Sequence, residues 1–192
     1  MTKPPVETKL MNKALDYLGR YNTSEHRLRE VLRRFALRRL HKHNPDKIAK
    51  AISATVTRCQ KLGYLDDDAF AKSQARSHRL QGRSKIGIRQ RLRQHRLDDN
   101  IIDVALDEAD QHTENSELLA ACLFARRRRL GPFDRRQYED TNDREANMRR
   151  QLGSLARAGF NRAISYTVIE LENMHAAEIL IDQLQKGGDV TI

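Results

Sequence analysis

The chain has 192 residues, 39% of them hydrophobic and 32% charged, with a formal net charge of +10. It is too apolar for a disordered chain and modest for one deep core, so several small helical cores suit it better. No apolar run reaches the ~18–20 residues of a membrane span, Met1–Lys9 lacks the apolar stretch of a secretory signal, and Cys59 and Cys122 have no CxxC partner. The expectation is a cytoplasmic protein with two buried, reduced thiols.

Strand alternation is absent, and the chain is expected to be all-α. A first helix spans Leu10–Arg20, with Met11, Ala14, Leu15 and Leu18 on one stripe. Asn22-Thr23-Ser24 breaks it, and Ser24 caps a second helix with Leu28, Val31, Leu32 and Phe35 inward. Asn44-Pro45 starts a third helix carrying Ile48, Ala51, Ile52, Thr55, Val56, Cys59 and Leu62, and Gly63 ends it. Asp66 caps the next helix, with Leu65 and Phe70 as a hydrophobic staple. Gly82-Arg83-Ser84 breaks that helix, and Ser84 caps a segment burying Ile88 and Leu92. After Leu97-Asp98 comes a stripe of Ile102, Ala105, Leu106 and Ala109. A third round opens at Ser116 with Leu119, Cys122 and Leu123 inward. Gly131-Pro132 leads into a polar loop reaching about Asn142. A helix with Met148, Leu152 and Leu155 inward then ends at Gly159, and Ile164, Val168 and Leu171 form the last stripe. Ile179, Leu180 and Leu184 extend that last helix, and Gly187-Gly188 begins a frayed tail.

One pattern recurs at 60-residue intervals: Leu28-Arg29-Glu30-Val31-Leu32, Ile88-Arg89-Gln90-Arg91-Leu92 and Met148-Arg149-Arg150-Gln151-Leu152. Each copy lies in the middle of a helix triplet, so the period describes a three-helix unit used three times. The expected domains are a basic repeat at 1–65, a middle repeat at 66–112, a C-terminal repeat at 113–173, and an extension and tail at 174–192.

Catalytic signatures are missing. No Walker-type GxxxxGK, GxSxG or HExxH motif occurs, and no nucleophile–base pair can be picked out. His41-Lys42-His43 has cationic neighbours, and Asp66–Asp68 splay around a helix start, so neither gathers ligands for a metal. No cofactor and no enzyme activity are expected.

The charge layout carries more information. Residues 1–60 hold 14 Lys/Arg against 5 Asp/Glu, while 61–115 balance at 10 against 10. Within that balance, Ala69–Leu97 contains no acid and nine bases. Lys85, Arg89, Arg93 and Arg96 fall at i, i+4, i+8 and i+11, along one side of a helix, and Arg76, Arg79 and Arg83 precede them. Arg outnumbers Lys 26 to 10, which suits bidentate contact to phosphate or carboxylate. With no Trp and few other aromatics, the expected nucleic-acid contact is to the phosphate backbone of single-stranded and also double-stranded DNA, independent of sequence. The expected contact set is Arg20, Arg27, Arg33, Arg34, Arg76, Arg79, Arg83, Lys85, Arg89, Arg93 and Arg96. Arg126–Arg129 is a further basic cluster, splayed around its helix and given less weight.

From about Ala14 to Glu172 the chain resembles the RecX family of regulators of the RecA recombinase. The resemblance rests on Tyr17-Leu18, Arg20-Tyr21-Asn22-Thr23-Ser24, Leu28-Arg29 and Leu32, and on Leu62-Gly63-Tyr64-Leu65-Asp66-Asp67 with Phe70-Ala71. Gly82-Arg83-Ser84, Ile88, Leu92-Arg93 and Arg157-Ala158-Gly159-Phe160 complete it. It implies three tandem three-helix repeats in an elongated, curved array. It also implies a monomer that binds the groove of the RecA–single-stranded-DNA filament, inhibits ATP hydrolysis and strand exchange, and acts in DNA repair and the SOS response. Two departures stand out: Arg96, after His95, occupies a position where the family often has Gly, and Ala36–Lys47 lengthens the first repeat. Two other functions fit a basic helical array. A sequence-specific transcription factor of tandem three-helix modules would read duplex DNA, although Myb-type units use core Trp residues that this chain lacks. A helical scaffold would bind an acidic protein without DNA.

Overall fold

The computed structural model describes residues 5–111, 115–136 and 140–186, and all regular structure among them is helical. The helices are α1 (Val6–Leu18), α2 (Glu25–Arg39), α3 (Pro45–Lys61), α4 (Asp67–Leu80), α5 (Lys85–Gln94), α6 (Asp99–Asp110), α7 (Ser116–Arg128), α8 (Thr141–Arg157), α9 (Arg162–Ile169) and α10 (Met174–Gln185). A 3-10 turn, Gly131–Phe133, lies between α7 and α8. The tail expected from Gly187-Gly188 lies outside the described residues. The chain divides into two compact units, residues 1–71 with 93–101, and residues 72–92 with 102–192.

In the first unit α1, α2 and α3 pack on one another around Leu10, Ala14, Leu28, Leu32, Leu40, Ile52, Val56 and Cys59. The caps are those the sequence indicates. Ser24 Oγ accepts from the Arg27 amide at 3.3 Å, and Asn44 Oδ1 accepts from the Asp46 and Lys47 amides with Pro45 at the first helical position. Asp66 Oδ1 takes the Ala69 amide at 2.9 Å. The stripe on α1 is turned one residue from expectation: Leu10 and Ala14 are buried, whereas Leu15 is 42% exposed. The helix begins at Val6 rather than Leu10, which brings Leu10 into the stripe. A tie not visible in the sequence joins α2 to the start of α4: the Glu25 amide donates to Asp67 Oδ1 at 2.7 Å. Burial pushes the Asp67 carboxyl above its ordinary value, partly offset by that hydrogen bond.

In the second unit α7 is buried almost all round, from Leu118 through Ala125 with only Leu119 partly exposed, and it packs against α8, α9 and α10. The segment expected to prolong the last helix is instead a separate one. Asn173 Oδ1 accepts from the Ala176 amide at 2.9 Å, and Ala177, Leu180, Ile181 and Leu184 of α10 enter the core, leaving Ile179 45% exposed. The third copy of the 60-residue pattern also departs from its fellows. Leu28, Leu32, Ile88 and Leu92 are at most 1% exposed, but Met148 and Leu152 are only half-buried. Asn147, Gln151 and Leu155 take the inward positions on α8. The cause is polar: Asp134 Oδ2 accepts from Asn147 Nδ2 at 3.0 Å and Gln151 Nε2 at 2.7 Å, while Gln151 Oε1 accepts from the Gly131 amide at 2.5 Å. Satisfying those buried groups fixes the rotation of α8.

Candidate nucleic-acid interface

The cations of α5 follow the expected line, yet acids of α6 lie against them. Lys85 Nζ reaches Asp107 Oδ1 at 2.9 Å and Arg89 pairs with Asp103. Arg93 forks onto Asp99, at 2.8 Å from Nε and 3.1 Å from Nη2. Steps of about four residues forward along α5 meet steps of four back along α6. On α4, Lys72 Nζ lies 2.6 Å from Glu108 and Arg76 3.7 Å from it. Lys72 holds the Glu108 carboxyl below its usual range. The acid-free stretch is therefore supplied with counter-charge by the acids that follow it in the chain. Arg93 and Asp99 are more than half exposed, and such pairs are worth ~0–1 kcal/mol, so an incoming phosphate can take the guanidinium over.

Arg79 plays a different part from the one its sequence neighbours suggest. It is 8% exposed. Nε and Nη2 meet the two oxygens of Asp110 at 2.8 Å each, and Nη1 meets Glu117 at 2.6 Å and the Arg83 carbonyl at 3.1 Å. Burial alone would push its pKa down, but the hydrogen bonds to Asp110 and Glu117 outweigh it and hold the guanidinium above its ordinary value. Glu117 also accepts from the Lys85 amide at 3.1 Å, so one carboxylate caps α5 and anchors Arg79.

In the second unit, cations without a carboxylate partner among the described residues lie where the turn after α4 meets the end of α7. Gly82 adopts φ +69°, and a Cβ there would lie 2.6 Å from the Phe124 nitrogen. Only glycine lets the turn press so close to α7. Arg127 Nη1 then donates to the Gln81 carbonyl at 2.6 Å while its guanidinium stands 5.8 Å from the Phe124 ring centroid. The next residue, Arg83, is half-buried, and its Nε is buried without a hydrogen-bond partner. Burial, then repulsion from Arg91 and Arg127, pushes the Arg83 pKa down. Arg91 and Arg127 are exposed. No carboxylate among the described residues pairs with any of the three.

Of the other expected residues, Arg20, Arg27, Arg33, Arg34 and Arg96 are exposed in the first unit. Arg33 is 3.7 Å from Glu30, and Arg34 Nε donates to the Glu30 carbonyl at 3.4 Å. Arg96 sits just past α5 in the left-handed region at φ +53°. Arg91 and Arg127, which flank Arg83, were not in the expected contact set. Arg91 lies off the i, i+4 line of α5, and Arg127 belongs to a tetrad whose members point apart. The available clue was Gly82, which forces a close approach to another element.

A family model described as "RecX, second three-helix domain" matches residues 66–106. A protein of Myxococcus xanthus named regulatory protein RecX is 38% identical over 165 residues, covering 85% of each chain. One of the same name from Agrobacterium fabrum is 31% identical over 172 residues, covering 89% of this chain and 87% of that one. Among solved structures, the crystal structure of regulatory protein RecX is similar with a TM-score of 0.59 at 25% identity, covering 86% of this chain and 71% of that one.

Proposed function

The chain belongs to the RecX family of regulatory proteins, and from that premise we propose that it is a non-enzymatic modulator of the RecA–DNA filament. On this reading three helical repeats, 1–65, 66–112 and 113–173, lie in the filament groove and inhibit ATP hydrolysis and strand exchange during recombinational repair and the SOS response. It works in the cytoplasm beside the recombinase. Among the described residues no helix is long and apolar enough to cross a membrane, and no group of three or more His, Cys, Asp or Glu is placed to hold a metal.

The observation that carries the proposal is the Arg83–Arg91–Arg127 cluster. Arg91 and Arg127 each repel the Arg83 guanidinium, and a phosphodiester brought to Arg83 offsets that repulsion. The forked donors of arginine suit phosphate oxygens, and the contact does not depend on base sequence. In the second unit Arg76, Arg89 and Lys85 add contacts by exchanging a carboxylate for phosphate, and in the first unit Arg20, Arg27, Arg34, Arg93 and Arg96 offer contacts of their own. Arg79 is left out of the contact set because its donors are spent on Asp110 and Glu117. Docking across neighbouring protomers of the filament hinders the movements that accompany ATP turnover.

The test is RecA ATPase on single-stranded DNA, titrated with this protein. Inhibition at or below one molecule per recombinase protomer is expected, and replacing Arg83, Arg91 and Arg127 by Ala should relieve it. No inhibition overturns the reading. Binding to duplex DNA with strong sequence preference would favour a transcription factor instead.

A further inference from the structure

In the first unit a groove of about 480 Å³ runs between α2 and the start of α3. Its floor is aliphatic: Ala36 and Ile52 are buried, Ile48 is half-buried, and Leu37 stands 75% exposed at the edge. Arg29, Arg33, His41 and His43 line the rim, and no carboxylate lines it. Arg29 is fixed there by Glu25 at 2.5 Å and Ser53 Oγ at 3.2 Å. Arg33 is 61% exposed, 3.7 Å from Glu30. The groove belongs to the Ala36–Lys47 junction that distinguishes this first repeat.

We propose that this groove is a docking site for an acidic amphipathic helix of a partner protein, formed by residues outside the phosphate-contact set. Aliphatic anchors at i, i+4 and i+7 of the partner would cover Leu37, Ile48 and Ile52, and its Asp and Glu residues would face Arg33, His41 and His43. This is the helix-in-groove mode, in which apolar anchors give affinity and flanking charges give selectivity. Nucleic acid does not fit the same place. The lining has no Phe, Tyr or Trp to stack a base, and a phosphate on the rim would leave Leu37 and Ile48 in water. A basic or neutral helix would cover the floor without answering Arg33, which is 61% exposed and pairs only loosely with Glu30, at 3.7 Å.

The proposal is tested with the full chain and fluorescein-labelled synthetic helices carrying Leu at i, i+4 and i+7 and Glu or Asp elsewhere, read by fluorescence anisotropy. Saturable binding is expected. Leu37→Asp and Arg33→Glu, both at exposed positions that leave the core intact, should each weaken it by about tenfold or more. Peptides with Lys for the acids, or Ser for the leucines, should bind at least about tenfold more weakly. Absence of binding by every acidic register variant overturns the proposal, as does equal binding by the Lys peptides or full competition by a single-stranded oligonucleotide. Self-association of the wild type abolished by Leu37→Asp also overturns it, because a second copy then covers the groove. A chain that binds the peptides yet leaves recombinase ATPase untouched retains this site while losing the filament reading.

Discussion

Arg79 lies fork to fork on Asp110, with both Nε–Oδ1 and Nη2–Oδ2 at 2.8 Å. The pair is internal, since Arg79 is 8% exposed. Removing one partner strands the other charge, which costs about 3–5 kcal/mol in buried pairs. Arg79→Ala should therefore lower the urea-unfolding free energy by roughly that amount. Arg79→Lys should recover little of it, because an ammonium cannot span two carboxylates and the Arg83 carbonyl. An Arg79→Ala variant of unchanged stability but reduced DNA affinity would return this residue to the contact surface.

The three uncompensated arginines predict an opposite pattern. Replacing Arg83, Arg91 and Arg127 by Ala removes like charges but also the Arg127 hydrogen bond to the Gln81 carbonyl, so stability should change by no more than about 1 kcal/mol. Affinity for single-stranded DNA should fall, and the slope of log K against log salt should become shallower by about 2 for three lost phosphate contacts. The matched triple replacement of Lys85, Arg89 and Arg93 breaks pairs with Asp107, Asp103 and Asp99, and it leaves those acids bare near the DNA. Fluorescence anisotropy over a salt series separates the two variants. Equal slopes for the wild type and the Arg83/Arg91/Arg127 variant would remove the cluster from the interface.

The helices and their caps were legible because their determinants are local: Ser24, Asn44, Asp66 and Ser84 each accept an amide two or three residues ahead. The all-helical class followed from the same grammar. Three things were not legible. The buried row on α8 follows Asn147 and Gln151 because Asp134, far back in sequence, accepts from both, and apolar periodicity cannot report that. The charge on 69–97 looked bare because its counter-charges come from α6 and from Glu117. The cluster of Arg83 with Arg91 and Arg127 depends on the approach of Gly82 to Phe124, which the sequence marks only by the glycine itself.

That approach sets up a comparison between two glycines. Gly63 at φ +72° has open space where a Cβ would go, and Gly82 at φ +69° has Phe124 N at 2.6 Å and Leu123 Cβ at 2.8 Å. Ala at Gly63 meets the left-handed penalty alone, about 1–2 kcal/mol. Ala at Gly82 adds overpacking, typically ~1–3 kcal/mol more. Thermal or urea unfolding should rank Gly82→Ala well below Gly63→Ala, and Gly82→Ala should also weaken DNA binding by displacing Arg83. Equal losses of stability would show that the turn relaxes away from α7 at little cost.

Arg96 presents a conflict between stability and function. An L-residue at φ +53° is strained by about 1–2 kcal/mol, and the greater freedom of glycine in the unfolded chain returns roughly 0.5–1 kcal/mol of any relief. Arg96→Gly should therefore stabilise the chain by roughly 0.5–1 kcal/mol while lowering affinity for DNA. Arg96→Ala keeps the strain and loses the charge, so it should bind as weakly as Arg96→Gly without gaining stability. Should Arg96→Gly be both more stable and fully active, the guanidinium contacts nothing in the complex.

The two thiols give the chain an alkaline limit. Burial pushes Cys122 up to about 12 from an ordinary 9.0, and burial also raises Cys59. Both are 0% exposed. The folded chain keeps these thiols protonated at pH values where the unfolded chain ionises them. Their contribution is thus complete below about pH 9, and for Cys122 it is lost as pH climbs towards about 12. The loss approaches 1.4 kcal/mol per pH unit for each thiol while only the unfolded form is ionised. Urea unfolding from pH 8 to 10.5 should show a downward slope that flattens when both cysteines are replaced by Ala, since the Tyr and Lys contributions are common to both chains. Identical slopes would mean that the thiols reach solvent in the folded state, and rapid labelling of the native protein by a thiol reagent would then accompany them.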